Sequence, residues 1–204
     1  MSVPHEKPLL LLYSSRFGHS RKIAETIAGE WRTAGLAVEL AELTPDIRPE
    51  PARHSGLGLV MSVRYGHFAR DAFRLARESG TWLQTAPTLL VTVSLTARKP
   101  EKRSPETHLY TRKFLKKTGW QPTRVLVAAG ALEYSRYNFV DRACIRLIMW
   151  LMKGETDGVS TVDYTDWEAV RTAARDFAAG IAGTGTVLPN LNKPAGQTAY
   201  CGLT

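Results

Sequence analysis

Hydrophobic residues occur along the chain in two patterns that alternate: short uninterrupted apolar runs, and longer stretches with a single apolar face. Uninterrupted runs are typical of strands buried on both faces of a parallel sheet. Together with the mostly apolar segment 36–43, they predict five strands, over residues 9–13, 36–43, 57–63, 88–94 and 125–129. Apolar residues at helical spacing predict helices over residues 20–34, 67–78, 105–117, 138–153 and 166–181. Because strands and helices alternate, we expect an α/β fold with helices on both faces of one parallel sheet.

Length and composition favour one globular domain. With 204 residues, of which 44% are hydrophobic and 23% charged, the chain can bury a substantial core. We expect this domain to span residues 1–183. Residues 184–204 are rich in Gly, Pro, Asn and Thr and lack periodicity, so they are predicted to form a flexible C-terminal tail.

Cysteine usage and the apolar segments indicate a cytoplasmic protein. Cys144 and Cys201 have no metal-binding spacing and form no disulfide framework, so a reducing compartment is expected. The first residues lack the features of a signal peptide, and the apolar stretch near residues 145–152 is too short to cross a bilayer. The net charge of +8 predicts an anionic partner, either a nucleic acid, a membrane surface or an acidic small molecule.

Three loops are expected to meet at one edge of the sheet. With the strand order 2-1-3-4-5, the topological switch point lies between the first and third strands, and ligands bind at the carboxyl ends of the strands beside such a point. The loops that follow strands one, three and four cover residues 14–20, 62–68 and 94–97. These loops are therefore predicted to share one site.

The first loop has the chemistry of a phosphate site. Ser14, Ser15 and Ser20 surround Gly18 between a strand and a helix, where backbone N–H groups and the positive end of the helix converge. Neither GxGxxG nor GxxxxGK[ST] is present, so dinucleotide and nucleoside-triphosphate loops are not supported. A shorter loop of this kind suits a single phosphate, and an ordinary serine-rich turn is the alternative.

The second and third loops suit a flat heterocycle. Tyr65 offers an aromatic face for stacking, and Gly66 allows backbone donors to approach closely. The small residues of the segment 94–97 could lie beside such a ring. Together the three loops predict flavin mononucleotide (FMN) as the cofactor. The alternative is that Tyr65 only covers the core and Gly66 only turns the chain.

The sequence contains no evident set of groups for protein-based catalysis. It lacks paired carboxylates, a Ser–His–Asp set and zinc-ligand spacing. His19 and His67 lie in the loops, where they could donate to a phosphate or a ring or be ordinary surface histidines. We therefore predict neither catalytic residues nor a metal, and a chemistry that belongs to the cofactor.

Two further segments indicate a partner. Residues 94–117 carry eight basic and two acidic side chains, and this basic insertion begins beside the predicted ring site. Its cations could bind substrate carboxylates, or they could form an ordinary solvated surface; they include Arg98, Lys99, Lys102 and Arg103. The predicted helix over residues 138–153 has a narrow basic stripe on a broad apolar surface. This pattern is typical of a helix in a membrane interface and equally of a core helix with one solvent-facing stripe.

Several motifs together resemble a known family. They are Arg64-Tyr65-Gly66-His67, Ala97-Arg98-Lys99-Pro100-Glu101-Lys102-Arg103, Gly130-Ala131-Leu132, Gly154-Glu155-Thr156-Asp157 and Tyr164-Thr165-Asp166-Trp167-Glu168. From about residue 9 to residue 178 the chain resembles the bacterial quinone-dependent protoporphyrinogen oxidases of the FMN type. Their fold is flavodoxin-like, a long-chain three-layer α/β/α sandwich with a five-stranded parallel sheet and a basic insertion. General flavodoxins share the first loop but lack the insertion.

The resemblance implies a function and a site. The function is oxidation of protoporphyrinogen IX to protoporphyrin IX in haem biosynthesis, with electrons passed to menaquinone or ubiquinone. The protein is expected to attach loosely, through residues 138–153, to the cytoplasmic face of the inner membrane, and not to bind nucleic acid. The basic insertion would bind the substrate propionates. The expected cofactor-binding residues are Ser14, Ser15, Arg16, Phe17, Gly18, His19, Ser20, Arg64, Tyr65, Gly66, His67, Ser94, Leu95, Thr96 and Ala97. Of these, Phe17 stands where the family usually has a polar residue.

Three other functions are compatible with parts of this pattern. One is a flavin quinone reductase that uses a nicotinamide donor, and another is an electron-carrier flavodoxin. Carriers of that kind usually have acidic surfaces, so the net charge of +8 argues against it. The third is a membrane-binding or nucleic-acid-binding module without a flavin. The sequence makes no prediction of the oligomeric state.

Overall fold

The computed structural model describes residues 7–133 and 161–182. Five parallel strands form one sheet in the order β2-β1-β3-β4-β5. They are β1 (Leu9–Ser14), β2 (Val38–Glu42), β3 (Gly56–Ser62), β4 (Thr88–Val93) and β5 (Arg124–Ala128). The predicted flavodoxin-like sheet and its strand order are thereby confirmed.

Burial of the sheet on both faces explains the uninterrupted apolar runs. β4 is buried at every position and β3 at all but its last, whereas β2, at the edge, is mostly half-buried. On β1, Leu9 and Leu11 pack into the core on one face, and Leu10 and Leu12 pack into the core on the other. Charged residues are absent from β1, β3 and β4. Along these parts of the chain, charged side chains therefore occur only beyond the ends of the strands.

Helices cover the two faces of the sheet. They are α1 (His19–Thr33), α2 (Arg70–Glu78), α3 (Gly80–Thr85), α4 (Leu109–Thr118) and α5 (Trp167–Ala182). α1 and α5 pack on one face, and α2, α3 and α4 pack on the other. The Trp31 indole stacks on Phe177 with ring centroids 5.1 Å apart, and its N–H donates to the carbonyl of Ala174 over 3.1 Å. This contact fixes α1 against α5.

Two predicted helices begin later than the sequence pattern indicated. The helix expected over residues 67–78 begins at Arg70, because residues 64–67 form a tight turn. The helix expected over residues 105–117 begins at Leu109, since residues before it form two 3-10 turns, Leu95–Arg98 and Pro100–Lys102. The predicted helix over residues 166–181 is α5 and agrees to within one residue.

Three short elements were missed by the sequence analysis. α3 has only six residues, and its sequence shows no clear apolar face. β6 (Ala131–Glu133) and β7 (Thr161–Asp163) form an antiparallel pair outside the main sheet. Strands of three residues are too short for a periodicity to be recognised.

Two predictions concern residues that the structure does not describe. The helix over residues 138–153 and the tail over residues 184–204 lie outside the described ranges, so both stay predictions from the sequence. Within residues 7–133 and 161–182, every helix falls short of the length and hydrophobicity needed to cross a bilayer.

Gly58 provides a test of how tightly the core is packed. A Cβ atom at Gly58 would lie 2.4 Å from Leu11 Cδ1 and 2.8 Å from Trp31 Cη2, and both of those side chains are fully buried. We expect Gly58→Ala to lower the free energy of unfolding by about 1–3 kcal/mol, as overpacking does. Urea denaturation would measure this change.

The matched control for this substitution is Gly29→Ala. Gly29 is exposed in the middle of α1, and no neighbouring atom lies within 4 Å of its Cβ position. Replacing it by Ala should raise the free energy of unfolding by about 0.5–1 kcal/mol through helix propensity. Equal effects of the two substitutions would contradict the packing argument.

Candidate functional site

The first loop, between β1 and α1, turns through Gly18. Gly18 has φ of 89°, a left-handed conformation that glycine adopts without strain, and its N–H donates to Ser15 Oγ over 3.1 Å. No side chain caps the N-terminus of α1, and its first turn contains no acidic residue. Within the described ranges, the hydroxyls of Ser14 and Ser20 form no hydrogen bond. This end of the helix is therefore suited to an anion.

The second loop is a two-residue turn. Arg64 and His67 exchange two backbone hydrogen bonds of 2.8 Å each, and the residues between them, Tyr65 and Gly66, have φ of 47° and 78°. Two positive φ values are typical of a type I′ turn. A left-handed tyrosine is uncommon, and here the turn holds its side chain 54% exposed. His67 Nδ1–H donates to the carbonyl of Tyr65 over 2.8 Å, so this ring supports the turn.

Guanidinium and aromatic groups alternate between the first and second loops. The Arg64 guanidinium lies over the Phe17 ring at 5.5 Å and over the Tyr65 ring at 4.9 Å. The Arg16 guanidinium, in the same loop as Phe17, lies over the Phe17 ring at 5.9 Å. The cation–π contact between Arg64 and Phe17 joins the two loops. Phe17 thus contacts two cations.

The third loop begins at Ser94, the residue after β4, and continues as the 3-10 turn that contains Leu95, Thr96 and Ala97. Ser94 Oγ lies 2.9 Å from Thr96 Oγ1 and accepts a hydrogen bond from the Thr96 N–H over 3.3 Å. Thr96 Oγ1 lies 3.2 Å from Nε2 of His108. Ala97 is fully buried. The loop is therefore stabilised by hydrogen bonds between its own residues and by a contact with His108, the residue that precedes α4.

His108 connects the third loop to the interior. Its Nδ1 lies 2.6 Å from Thr111 Oγ1, which lies 2.7 Å from Thr92 Oγ1 on β4. His108 is 1% exposed. Burial, followed by the positive charge of Lys102, lowers the pKa of the His108 imidazole below its ordinary value. The ring is therefore neutral at physiological pH.

A short segment after β7 contacts both the first loop and the basic insertion. His19 Nε2 donates to Thr165 Oγ1 over 2.7 Å, and Thr165 Oγ1 donates to the carbonyl of Ala129 over 2.9 Å. Asp163 accepts hydrogen bonds from the Thr165 N–H and from the Trp167 indole. Partial burial alone would raise the pKa of the Asp163 carboxyl, but these hydrogen bonds and the nearby His19 hold the pKa below its ordinary value.

The four cations predicted to bind substrate fall into two pairs. Arg103 Nε–H donates to the carbonyl of Ala97 over 3.1 Å, and its guanidinium lies 3.8 Å from the Asp166 carboxylate. The Arg98 guanidinium lies over the Tyr164 ring at 5.9 Å. Lys99 and Lys102 are exposed. The arginines thus attach the insertion to the protein, and the lysines extend into solvent.

The structure brings most of the predicted residues to one edge of the sheet and adds residues that the sequence analysis missed. His19 contacts Thr165, and His67 contacts its own turn. The added residues are His108, Asp163 and Thr165. A single histidine before a helix carries no signal of its own, whereas Thr165 lies in one of the motifs that carry the family resemblance.

The three loops fit the flavin that was predicted for them. The N-terminus of α1, with the hydroxyls of Ser14 and Ser20, supplies donors for a phosphate. Tyr65 presents an exposed ring for stacking. Ser94 carries a hydroxyl just after β4, the strand next to β3. Donors for an anion and an aromatic surface therefore lie on the same edge of the sheet.

The lowered pKa of His108 predicts how stability depends on pH. The unfolded chain takes up a proton near the ordinary histidine pKa of 6.5, whereas the folded protein resists protonation at lower pH. The stability contributed by neutral His108 is therefore fully present above about pH 6.5 and is lost as the pH falls below that value. We expect the free energy of unfolding to fall more steeply between about pH 7 and pH 5 in the wild type than in His108→Asn, as measured by chemical denaturation. Identical slopes would contradict this account.

Comparison with known proteins agrees with this fold and with these motifs. Residues 10–158 match the flavodoxin domain. The chain is 40% identical over 169 residues to protoporphyrinogen IX dehydrogenase [quinone] of Escherichia coli K12, covering 83% of this chain and 93% of that protein. It is also 40% identical over 171 residues to the protein of the same name from Leishmania major, covering 83% and 74%.

Solved structures add support for the fold alone. A flavodoxin from the domain Archaea superimposes with a TM-score of 0.50 at 10% identity, covering 86% of this chain and 99% of that one. The matching flavodoxin domain implies a flavin cofactor. The family resemblance inferred from the motifs is confirmed by the matches over most of the chain. The chain therefore belongs to the flavodoxin-domain proteins and, among them, to the family of quinone-dependent protoporphyrinogen IX dehydrogenases.

Proposed function

We propose that this protein oxidises protoporphyrinogen IX to protoporphyrin IX in haem biosynthesis, with FMN as its cofactor and menaquinone or ubiquinone as the electron acceptor. The observation that carries the proposal is the 40% identity to a dehydrogenase of that name over 93% of its length. The site supports it, because donors for a phosphate, an exposed aromatic ring and a basic insertion occur together at one edge of the sheet.

In this proposal the chain holds the cofactor and the substrate, and a bound flavin supplies the oxidising chemistry. The N–H groups at the start of α1, with Ser14, Ser15 and Ser20, bind the phosphate. Tyr65 packs against the flavin ring, and the Arg64 guanidinium supports Tyr65 through its contacts with the Tyr65 and Phe17 rings. The segment 94–97 borders the ring on the side of β4. No protein nucleophile is required.

Lys99 and Lys102 are the proposed contacts for the substrate propionates. Both are exposed on the insertion, which Arg103 holds directly against the third loop through the carbonyl of Ala97. An ammonium group pairs with a carboxylate through charge-assisted hydrogen bonds. Arg98 and Arg103 act in this proposal by fixing the insertion, through Tyr164 and Asp166.

The remaining parts of the proposal rest on the sequence. The proposed attachment to the cytoplasmic face of the inner membrane is inferred from the apolar and basic pattern of residues 138–153. Such attachment would give hydrophobic substrates access to the site. The assignment of residues 1–183 as a flavodoxin-like FMN-binding domain and of 184–204 as a flexible C-terminal tail stays a prediction.

A direct assay tests the reaction. Protein reconstituted with FMN and mixed anaerobically with protoporphyrinogen IX should form fluorescent protoporphyrin IX only when a menaquinone or ubiquinone analogue is added. Flavin bleaching by NADPH with no porphyrin formation would instead identify a quinone reductase. A purified protein that binds no FMN at all would identify a binding module.

Substitution of the two exposed lysines tests the substrate contacts. We expect the double variant Lys99→Ala, Lys102→Ala to raise the KM for protoporphyrinogen IX about tenfold, because two exposed ion pairs contribute about 1 kcal/mol or less each. Its FMN content should match that of the wild type. The control is Lys113→Ala, Lys116→Ala, which removes the same charge from exposed positions on α4. If both double variants raised KM equally, overall charge rather than local contact would be responsible.

A further inference from the structure

The hydrogen bonds behind the third loop form one continuous chain with a definite direction. It runs from Thr92 through Thr111, His108 and Thr96 to Ser94, with distances of 2.6 to 3.2 Å. Thr92 and Thr111 are fully buried, and Ser94 is 5% exposed. Since each hydroxyl has one hydrogen to donate, the tautomer of the single imidazole decides the direction in which every link points.

The His108 ring accepts at Nδ1. The backbone N–H of Thr111 lies in the first turn of α4, where the helix itself offers no carbonyl, and it donates to Nδ1 over 3.4 Å. A hydrogen on Nδ1 would face this amide hydrogen and leave a buried donor unsatisfied. The Thr111 hydroxyl therefore also donates to Nδ1, and it in turn accepts from Thr92.

The opposite nitrogen must then donate. A neutral imidazole with its lone pair on Nδ1 carries its hydrogen on Nε2, which donates to Thr96 Oγ1. The Thr96 hydroxyl passes its own hydrogen on to Ser94 Oγ, which also accepts from the Thr96 N–H. Burial and the charge of Lys102 lower the pKa of His108 and so favour this neutral form.

The hydrogen of the Ser94 hydroxyl is the one left over at the end of this chain. Both acceptor positions of Ser94 Oγ are occupied by Thr96, and within residues 7–133 and 161–182 this oxygen has no other polar contact. Ser94 lies at the carboxyl end of β4, in the loop predicted to border the flavin ring. Its hydroxyl is thus fixed as a donor with no acceptor among the described residues.

We propose that His108 is a positioning residue that fixes the Ser94 hydroxyl as a hydrogen-bond donor to an acceptor atom of the flavin ring, a carbonyl oxygen or an unprotonated nitrogen. The inference rests on the proposed function, because it assigns the ring to the site that this loop borders.

Four substitutions separate positioning from structural support. Ser94→Ala removes the donor itself. His108→Asn places an acceptor near the position of Nδ1 but has no group at Nε2, so it keeps the contact with α4 and releases Thr96. His108→Gln does the reverse, because its amide N–H reaches the position of Nε2. Ser104→Ala is the control. It removes exposed hydrogen bonds between Ser104 and Thr107, which belong to the same insertion but not to this chain of hydrogen bonds.

The measurements are FMN affinity of the apoprotein, by flavin fluorescence, and the free energy of unfolding. We expect Ser94→Ala and His108→Asn each to weaken FMN binding about five- to tenfold, as loss of one hydrogen bond does. His108→Gln should retain the affinity and lose stability, and Ser104→Ala should retain the affinity. Nitrogen-15 NMR of the apoprotein should show His108 as the neutral Nε2–H form at pH 7.

The outcomes distinguish this inference from the proposed function. If the wild type binds FMN and Ser94→Ala binds it equally well, the role of the hydroxyl is overturned and the flavin assignment stands. An Nδ1–H tautomer, or equal losses of affinity in His108→Asn and His108→Gln, would overturn the positioning role. A wild-type protein that binds no FMN would overturn the proposed function, and with it the destination of the Ser94 hydrogen.

Discussion

Burial of the parallel sheet on both faces is the constraint on which the rest of the structure depends. Its central strands have no charged residue, because a charge between two layers of helices would be desolvated without a partner. Polar and charged side chains therefore occur where the strands end, and parallel strands all end at the same edge. The phosphate-type loop at Gly18, the Tyr65 turn and the Ser94 loop meet there as a consequence of this geometry.

Contacts between residues distant in sequence then give this edge its shape. His19, at the start of α1, is hydrogen-bonded to Thr165, which is hydrogen-bonded to the carbonyl of Ala129, the residue after β5. Arg103 joins the insertion to the third loop and to the segment that carries Thr165, through Ala97 and Asp166. These contacts attach the basic insertion to the same framework as the phosphate-type loop, so cations and aromatic groups share one surface.

Elements whose formation depends on one dominant physical effect could be predicted from the sequence. Buried strands require apolar residues, so all five strands were predicted, and the predicted strand order placed the three loops at the topological switch point. The start of α2 was placed too early, because the sequence pattern does not reveal that residues 64–67 form a turn closed by backbone hydrogen bonds. The start of α4 was also placed too early, since the two 3-10 turns before it have no recognisable periodicity. The different surroundings of the four predicted substrate cations also became evident only in the structure, since Arg98 and Arg103 have partners far along the chain.

The sequence by itself determined the α/β architecture, the position of the candidate site and the family, because apolar runs, a small hydroxyl-rich loop and contiguous motifs are local properties. The tertiary structure decided how the site residues are oriented. His108 is an isolated histidine in the sequence, and only folding places it between Thr96 and Thr111, in a buried chain whose direction it fixes. Hydrogen bonds and burial depend on distances between separate elements, and those distances exist only once the sheet has brought the loops together.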